Sequence, residues 1–144
     1  MPWEIPYLPD QYPAKPRVPG PHNAIVTGPP GAEIHTDEHG RIKVQFYWDR
    51  EAQGDDTSSC WLRVNQPLAG VQWGAIAIPR VGQEVIVDFE HADPDRPVMT
   101  GRLYNGQNPP PYTLPQHQTR STFKTLTTPG GGGFHELRVE DKAG

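Results

Sequence analysis

Arg41-Ile42-Lys43-Val44-Gln45-Phe46-Tyr47-Trp48 is the stretch that decides the fold class. Ile42, Val44, Phe46 and Trp48 share one parity, and Arg41, Lys43, Gln45 and Tyr47 the other. Successive side chains of a strand point to opposite faces, so this alternation predicts a half-buried strand. The pattern recurs downstream. Cys60, Leu62 and Val64 alternate with Trp61, Arg63 and Asn65. Val85, Val87 and Phe89 alternate with Glu84, Ile86 and Asp88. Ala24–Val26, Trp73–Ile78 and Val98–Tyr104 are further strand candidates. Between them lie Gly28-Pro29-Pro30-Gly31, Asp37-Glu38-His39-Gly40, Gly54-Asp55-Asp56, Pro79-Arg80-Val81-Gly82 and Asp93-Pro94-Asp95-Arg96-Pro97, all turn formers. No stretch keeps a helical period over ten residues.

Composition points the same way. The 144 residues include 15 glycines and 18 prolines, about 23% of the chain against roughly 12% in ordinary proteins. Each interior proline costs a helix ~3 kcal/mol and each glycine ~1 kcal/mol. The expectation is an all-β fold in which residues 23–105 form a small closed barrel of the OB type. No apolar run approaches the ~18 residues that would span a bilayer. The start, Met1-Pro2-Trp3-Glu4, has no basic stretch followed by an apolar one, so no secretory signal is visible. A net charge of −4 argues against a nucleic-acid or anionic-membrane partner. A single cysteine, Cys60, excludes an intrachain disulfide and any multi-cysteine zinc site.

Residues 1–22 hold seven prolines and read as a polyproline-like arm or linker. Trp3, Tyr7, Leu8 and Tyr12 punctuate it. They suggest an arm lying along another surface; a frayed linker with incidental aromatics is the alternative. Residues 106–144 form a third part. Asn108-Pro109-Pro110-Pro111-Tyr112 breaks the domain, Thr119–Thr128 is β-prone, Gly130–Gly133 turns, and Phe134–Asp141 alternates. Leu137 and Val139 share the parity of His135 and Asp141, opposite Phe134, Glu136, Arg138 and Glu140. Two such strands cannot bury a face alone, because an isolated hairpin is marginal in water. Identical chains are the simplest source of the missing cover. With the chain stopping at Asp141-Lys142-Ala143-Gly144, the sequence reads as a piece of a longer protein.

No catalytic constellation stands out. His35, Asp37, Glu38 and His39 sit together, as do Glu90, His91, Asp93 and Asp95, but both groups read as polar turns rather than metal sites. The acids show no cleft of the kind paired carboxylates need in glycoside hydrolysis. Cys60 reads as a small buried residue rather than a nucleophile. Gly130–Gly133 lacks the lysine and the following helix of a phosphate loop. No catalytic, cofactor or metal residue is assigned. The second functional class is an OB-fold module binding single-stranded nucleic acid or oligosaccharide. Phe46, Tyr47, Trp48, Trp61 and Trp73 would supply stacking, with Arg41, Lys43, Arg63 and Arg80 nearby. Thirteen basic residues against 17 acidic ones give no electrostatic funnel.

The run from Gly31 to Arg50, GAEIHTDEHGRIKVQFYWDR, resembles the VgrG spike proteins of type VI secretion systems. So do Ser58-Ser59-Cys60-Trp61-Leu62-Arg63-Val64, Gly74-Ala75, Ile78–Phe89, Asp93–Pro97 and Gly101–Asn105. Lys124-Thr125, the glycine run and Glu136–Asp141 look like the start of that family's β-helical needle. The resemblance covers roughly residues 20–144 and extends to the central spike of contractile phage tails. It departs at His91-Ala92, where the family commonly has an acid and a glycine, and at Pro129 before the glycine run.

The resemblance implies a homotrimer in which a tube-docking part leads into an OB domain and then a three-chain β-helix. A PAAR-type tip protein caps the needle and effector proteins ride on it. This chain matches the OB domain and the first turn of the needle, so contacts with the tube and tip would lie in regions outside it. Leu137 and Val139 would then face the threefold axis, with Phe123 and Leu126 in the same core. The implied role is structural, without enzyme activity or cofactor. The implied location is the bacterial cytoplasm during assembly, followed by export through the type VI apparatus.

Overall fold

The computed structural model describes residues 13–143. The aromatic part of the arm, Trp3 to Tyr12, falls outside these residues. The described residues form nine strands: β1 His22–Thr27, β2 Lys43–Phe46, β3 Arg63–Val64, β4 Leu68–Gly70, β5 Trp73–Ala75, β6 Glu84–Phe89, β7 Pro97–Leu103, β8 Arg120–Lys124 and β9 Glu136–Glu140. A 3-10 turn, Glu90–Ala92, is the sole helical element among the described residues.

Five strands form a curled half-barrel sheet in the order β2-β1-β6-β7-β3. The pairings are antiparallel except β3 with β7, which run parallel. The curl brings the residues just before the two edge strands together. Ile42 donates its N–H to the Leu62 carbonyl at 3.0 Å, and Leu62 returns the bond at 2.8 Å. A register shift at Ile86/Val87 bulges β7 against β6, and a bulge bends a strand and tightens its twist.

The alternation read from residues 41–48 and 84–89 accounts for the core. Ala24, Val26, Ile42, Val44, Leu62, Val85, Val87 and Met99 are buried together. Phe46, Val64, Ile78 and Phe89 pack against them from the margin. Register places Val26 beside Val44, and Val85 beside Ala24, so the small and branched side chains meet on the concave side.

Three local expectations are corrected. Cys60 is exposed, not buried. The strand does not reach back to it. The Ser59 hydroxyl, one residue earlier, accepts the Val44 N–H at 2.9 Å and so occupies the edge of β2 that a strand would have taken. Trp48 is also exposed, because β2 ends at Phe46. The Asp49 N–H turns back to the Phe46 carbonyl, and the indole lies stacked on the Phe46 ring at 4.9 Å. Trp73–Ile78 does not join the main sheet. Only Trp73–Ala75 is strand, paired with Leu68–Gly70 as a separate hairpin.

The arm is docked where it is described. Lys15 pairs with Asp93 at 2.6 Å and Asp95 at 2.7 Å, and the Val18 N–H donates to the Ala92 carbonyl. The turn it reaches holds two non-glycine residues at positive φ, His91 at 57° and Ala92 at 59°.

Candidate functional site

Beyond the barrel, β8 and β9 form a two-stranded antiparallel sheet of their own. Register pairs Phe123 directly with Leu137, and Ser121 with Val139. Directly paired residues of a ladder point to the same face. Phe123, Leu137 and Val139 therefore share one face, and they are 63%, 73% and 52% exposed. Leu126 lies elsewhere. The ladder runs on past β8, since the Thr125 N–H meets the His135 carbonyl and the Thr127 N–H the Gly133 carbonyl. This gives Leu126 the parity of Lys124, so it stands opposite Phe123, where it leans against Gly131.

The other face of the hairpin is polar and paired within the chain. Arg120, Thr122 and Lys124 stand opposite Glu140, Arg138 and Glu136. Tyr112, from the proline-rich connector, lies on this face. Its hydroxyl donates to the Glu136 carboxylate, and the Arg120 guanidinium sits 4.9 Å from its ring centre. Hydrogen bonds from Tyr112 and Thr122 hold the Glu136 carboxyl below its ordinary range. Glu140 is drawn further, to about 2, by the Thr119 hydroxyl and by Arg120, whose Nε lies 2.7 Å away. The polar side thus has internal partners, whereas Phe123, Leu137 and Val139 have water.

The glycine tip of this hairpin is fastened to the barrel. Glu33, in the loop between β1 and β2, accepts the Thr128 hydroxyl on one oxygen and the Gly130 N–H on the other at 2.6 Å. Those two bonds, with the Arg80 charge behind them, hold the Glu33 carboxyl below its ordinary range. Arg80 itself donates to the Leu126 carbonyl. At the other end of the connector, Glu84 on β6 accepts from Asn105 Nδ2 at 2.7 Å. The sequence offers Arg80 only as a cation near the aromatics and does not offer Glu33, since both sit in loops and meet partners 46 and 97 residues away.

The other candidate groups are engaged within the chain. Arg41 pairs with Asp37 at 2.6 Å, Lys43 donates to the Asp56 carbonyl, Arg63 pairs with Glu90, and Arg80 is bonded as above. These are the four cations that a nucleic-acid groove would need free. Asp93 and Asp95 hold Lys15, and Glu90 holds Arg63 and Arg96. The His35 ring lies 4.9 Å from that of Trp61. Among the described residues no cluster of three or more His, Cys, Asp or Glu side chains is placed to hold a metal ion.

The family model described as "Type VI secretion system/phage-baseplate injector OB domain" matches residues 31–104. The chain is 57% identical over 143 residues, 99% of its length, to the Pseudomonas aeruginosa type VI secretion system spike protein VgrG4b, of which that covers 18%. It is 54% identical over 143 residues, again 99% of its length and 18% of the relative, to VgrG5 of the same organism. It is 56% identical over 130 residues, 90% of its length, to the Vibrio cholerae protein named actin cross-linking toxin VgrG1, of which that covers 12%. The chain thus spans less than a fifth of each of these relatives.

Proposed function

The chain belongs to the injector OB-domain family of VgrG-type type VI secretion spike proteins, and from that premise we propose that it is a structural platform within a trimeric puncturing spike. In this reading residues 1–22 lead in as an arm, residues 23–105 form an OB barrel, and residues 106–144 are the connector and first strands of a three-chain β-helical needle. The observation that carries it is the uncovered face of β8–β9. Phe123, Leu137 and Val139 form an apolar stripe on a hairpin too small to bury it. Packing three copies about an axis covers the stripe and closes the strand edges that one chain leaves open. Leu126 then sits behind the stripe, at the joint with the barrel.

The role is mechanical, and no catalytic group or cofactor takes part in it. The barrel's loops hold the hairpin tip through Glu33 and Arg80, which sets the angle at which the needle leaves the platform. A tube protein below, a PAAR-type tip protein above and the effectors that travel with them would be bound by parts of the protein outside these residues. Assembly in the bacterial cytoplasm and export through the type VI apparatus complete the reading.

The test is the native mass of residues 1–144 by light scattering across a concentration series, for wild type and Leu137→Asp. A wild-type mass near three times 16.0 kDa, falling to one chain in Leu137→Asp, is the expected result. A wild type that stays at one chain at every concentration, or a trimer indifferent to Leu137→Asp, overturns the assignment of this face.

A further inference from the structure

We propose that the β4–β5 hairpin is a second contact of the same assembly, seated against a neighbouring copy of this chain; it rests on the trimeric reading above. The hairpin pairs only with itself and stands apart from the five-stranded sheet. Its large side chains face water: Val71 at the tip is 88% exposed and Ile76 75%, with Leu68 and Trp73 also exposed. A free hairpin of this size has little stability of its own, yet this one has a strictly specified backbone. Gln72 sits at φ 64°. A Cβ on Gly74 would come 2.4 Å from the Leu68 carbonyl oxygen, and one on Gly70 would come 2.2 Å from the Trp73 indole. The indole is therefore folded across Gly70, which leaves Val71 and Ile76 presented on a fixed frame.

Charge says what covers it. From Val64 to Pro79 there is no Asp, Glu, Lys, Arg or His. Each chain carries a net charge of −4, and a surface without charges is one across which two copies meet with no like-charge repulsion. An anionic membrane would instead call for free cations at the margins of the apolar patch. Of the cations near this run, Arg63 is paired with Glu90, while Arg80 donates to the Leu126 carbonyl and Arg102 to the Ala77 carbonyl, so each is already directed at a partner within the chain. The Arg80 bond also ties the chain just after this run to the tip of the β8–β9 hairpin. Arg80, four residues after Ile76, thus links the β4–β5 segment to the element that the trimeric reading places at the threefold axis. In a cyclic trimer each copy offers this hairpin to an unlike surface of the next.

Val71→Asp tests it, because a side chain so exposed can be charged without touching the barrel core. Native mass and amide hydrogen exchange of residues 68–76 are measured against concentration, for wild type and variant, on the full chain. The expected result is that exchange at 68–76 slows as wild type associates, and that Val71→Asp raises the concentration for half-association at least about tenfold. If wild type associates while exchange at 68–76 stays fast and Val71→Asp changes nothing, this contact is wrong and the trimer stands. If wild type remains a single chain, both fall. Binding of the hairpin to phosphatidylglycerol vesicles in place of self-association would reassign the face to a membrane.

Discussion

The Glu33 carboxylate accepts the backbone N–H of Gly130 at 2.6 Å across 97 residues of sequence. With the Thr128 hydroxyl on its second oxygen, one side chain of the barrel fixes both ends of the turn that opens the glycine run. A glycine run is otherwise the least constrained backbone available. The orientation of β8–β9 is thus written in a barrel loop rather than in the hairpin.

Glu33→Gln should therefore loosen the tip without unfolding the barrel. The neutral amide offers a weaker acceptor to the same donors. Hydrogen exchange at Gly130 should quicken by roughly an order of magnitude, while amides of β1 and β6 keep their protection. Equal acceleration throughout the chain would show that Glu33 supports the barrel instead.

Leu62→Ala should cost ~2–5 kcal/mol in urea unfolding, the range for removing a buried leucine side chain from a packed core. Leu62 is 1% exposed and lies at the meeting of the two sheet edges. Leu103→Ala, on a half-exposed residue at the end of β7, should cost under ~1.5 kcal/mol. Equal losses would mean that the core does not lie where the curl of the sheet places it.

Ala92→Gly should stabilise the chain slightly. Ala92 holds φ 59°, a conformation that costs a residue with a Cβ ~1–2 kcal/mol. Glycine removes that strain but adds freedom to the unfolded chain, so a net gain of ~0.5–1 kcal/mol remains. Ala92 thus stands at a position whose backbone favours glycine. A loss of stability would mean that the alanine methyl makes a contact worth more than the strain.

The Thr119–Glu140–Arg120 group should make the hairpin acid-sensitive. The Glu140 carboxyl titrates at about 2 in the folded chain against an ordinary 4.5. A depressed carboxyl stabilises the fold above its unfolded value, and that contribution fades as pH falls from about 4.5 to about 2. Exchange protection of β8 and β9 should therefore decline through this window, and less steeply in Glu140→Gln. A profile identical in wild type and Glu140→Gln would assign the effect elsewhere.

The barrel was legible where one face of a strand is buried and the other wet. Val44 and Val85 sit in such strands, and their parity alone marks them as core. Legibility failed where local hydrogen bonds override parity. Ser59 replaces a strand residue with a side-chain oxygen, so Cys60 lies outside despite its place in the alternation. Leu68–Gly70 shows no period because neither side of β4 is buried. In the hairpin, parity separated Leu137 and Val139 from their charged neighbours. It also carried the information that Leu126 stands opposite Phe123, since 123 and 126 differ by an odd number. The grip of Glu33 and Arg80 had no sequence signal, because contacts between turns leave no periodicity.

The seam of the half-barrel has a thermal consequence. Ile42 and Leu62 are joined by two backbone bonds, with the Val44 N–H on the Ser59 hydroxyl beside them, so few hydrogen bonds close the sheet on itself here. Both side chains are among the largest that are fully buried, and parting them wets each at ~1.5–3 kcal/mol. This short seam is thus guarded by water's aversion to its two residues. That guard weakens on cooling, as apolar hydration becomes less unfavourable. Chilling, more than warming, should pick out this seam as the place where the barrel first gapes.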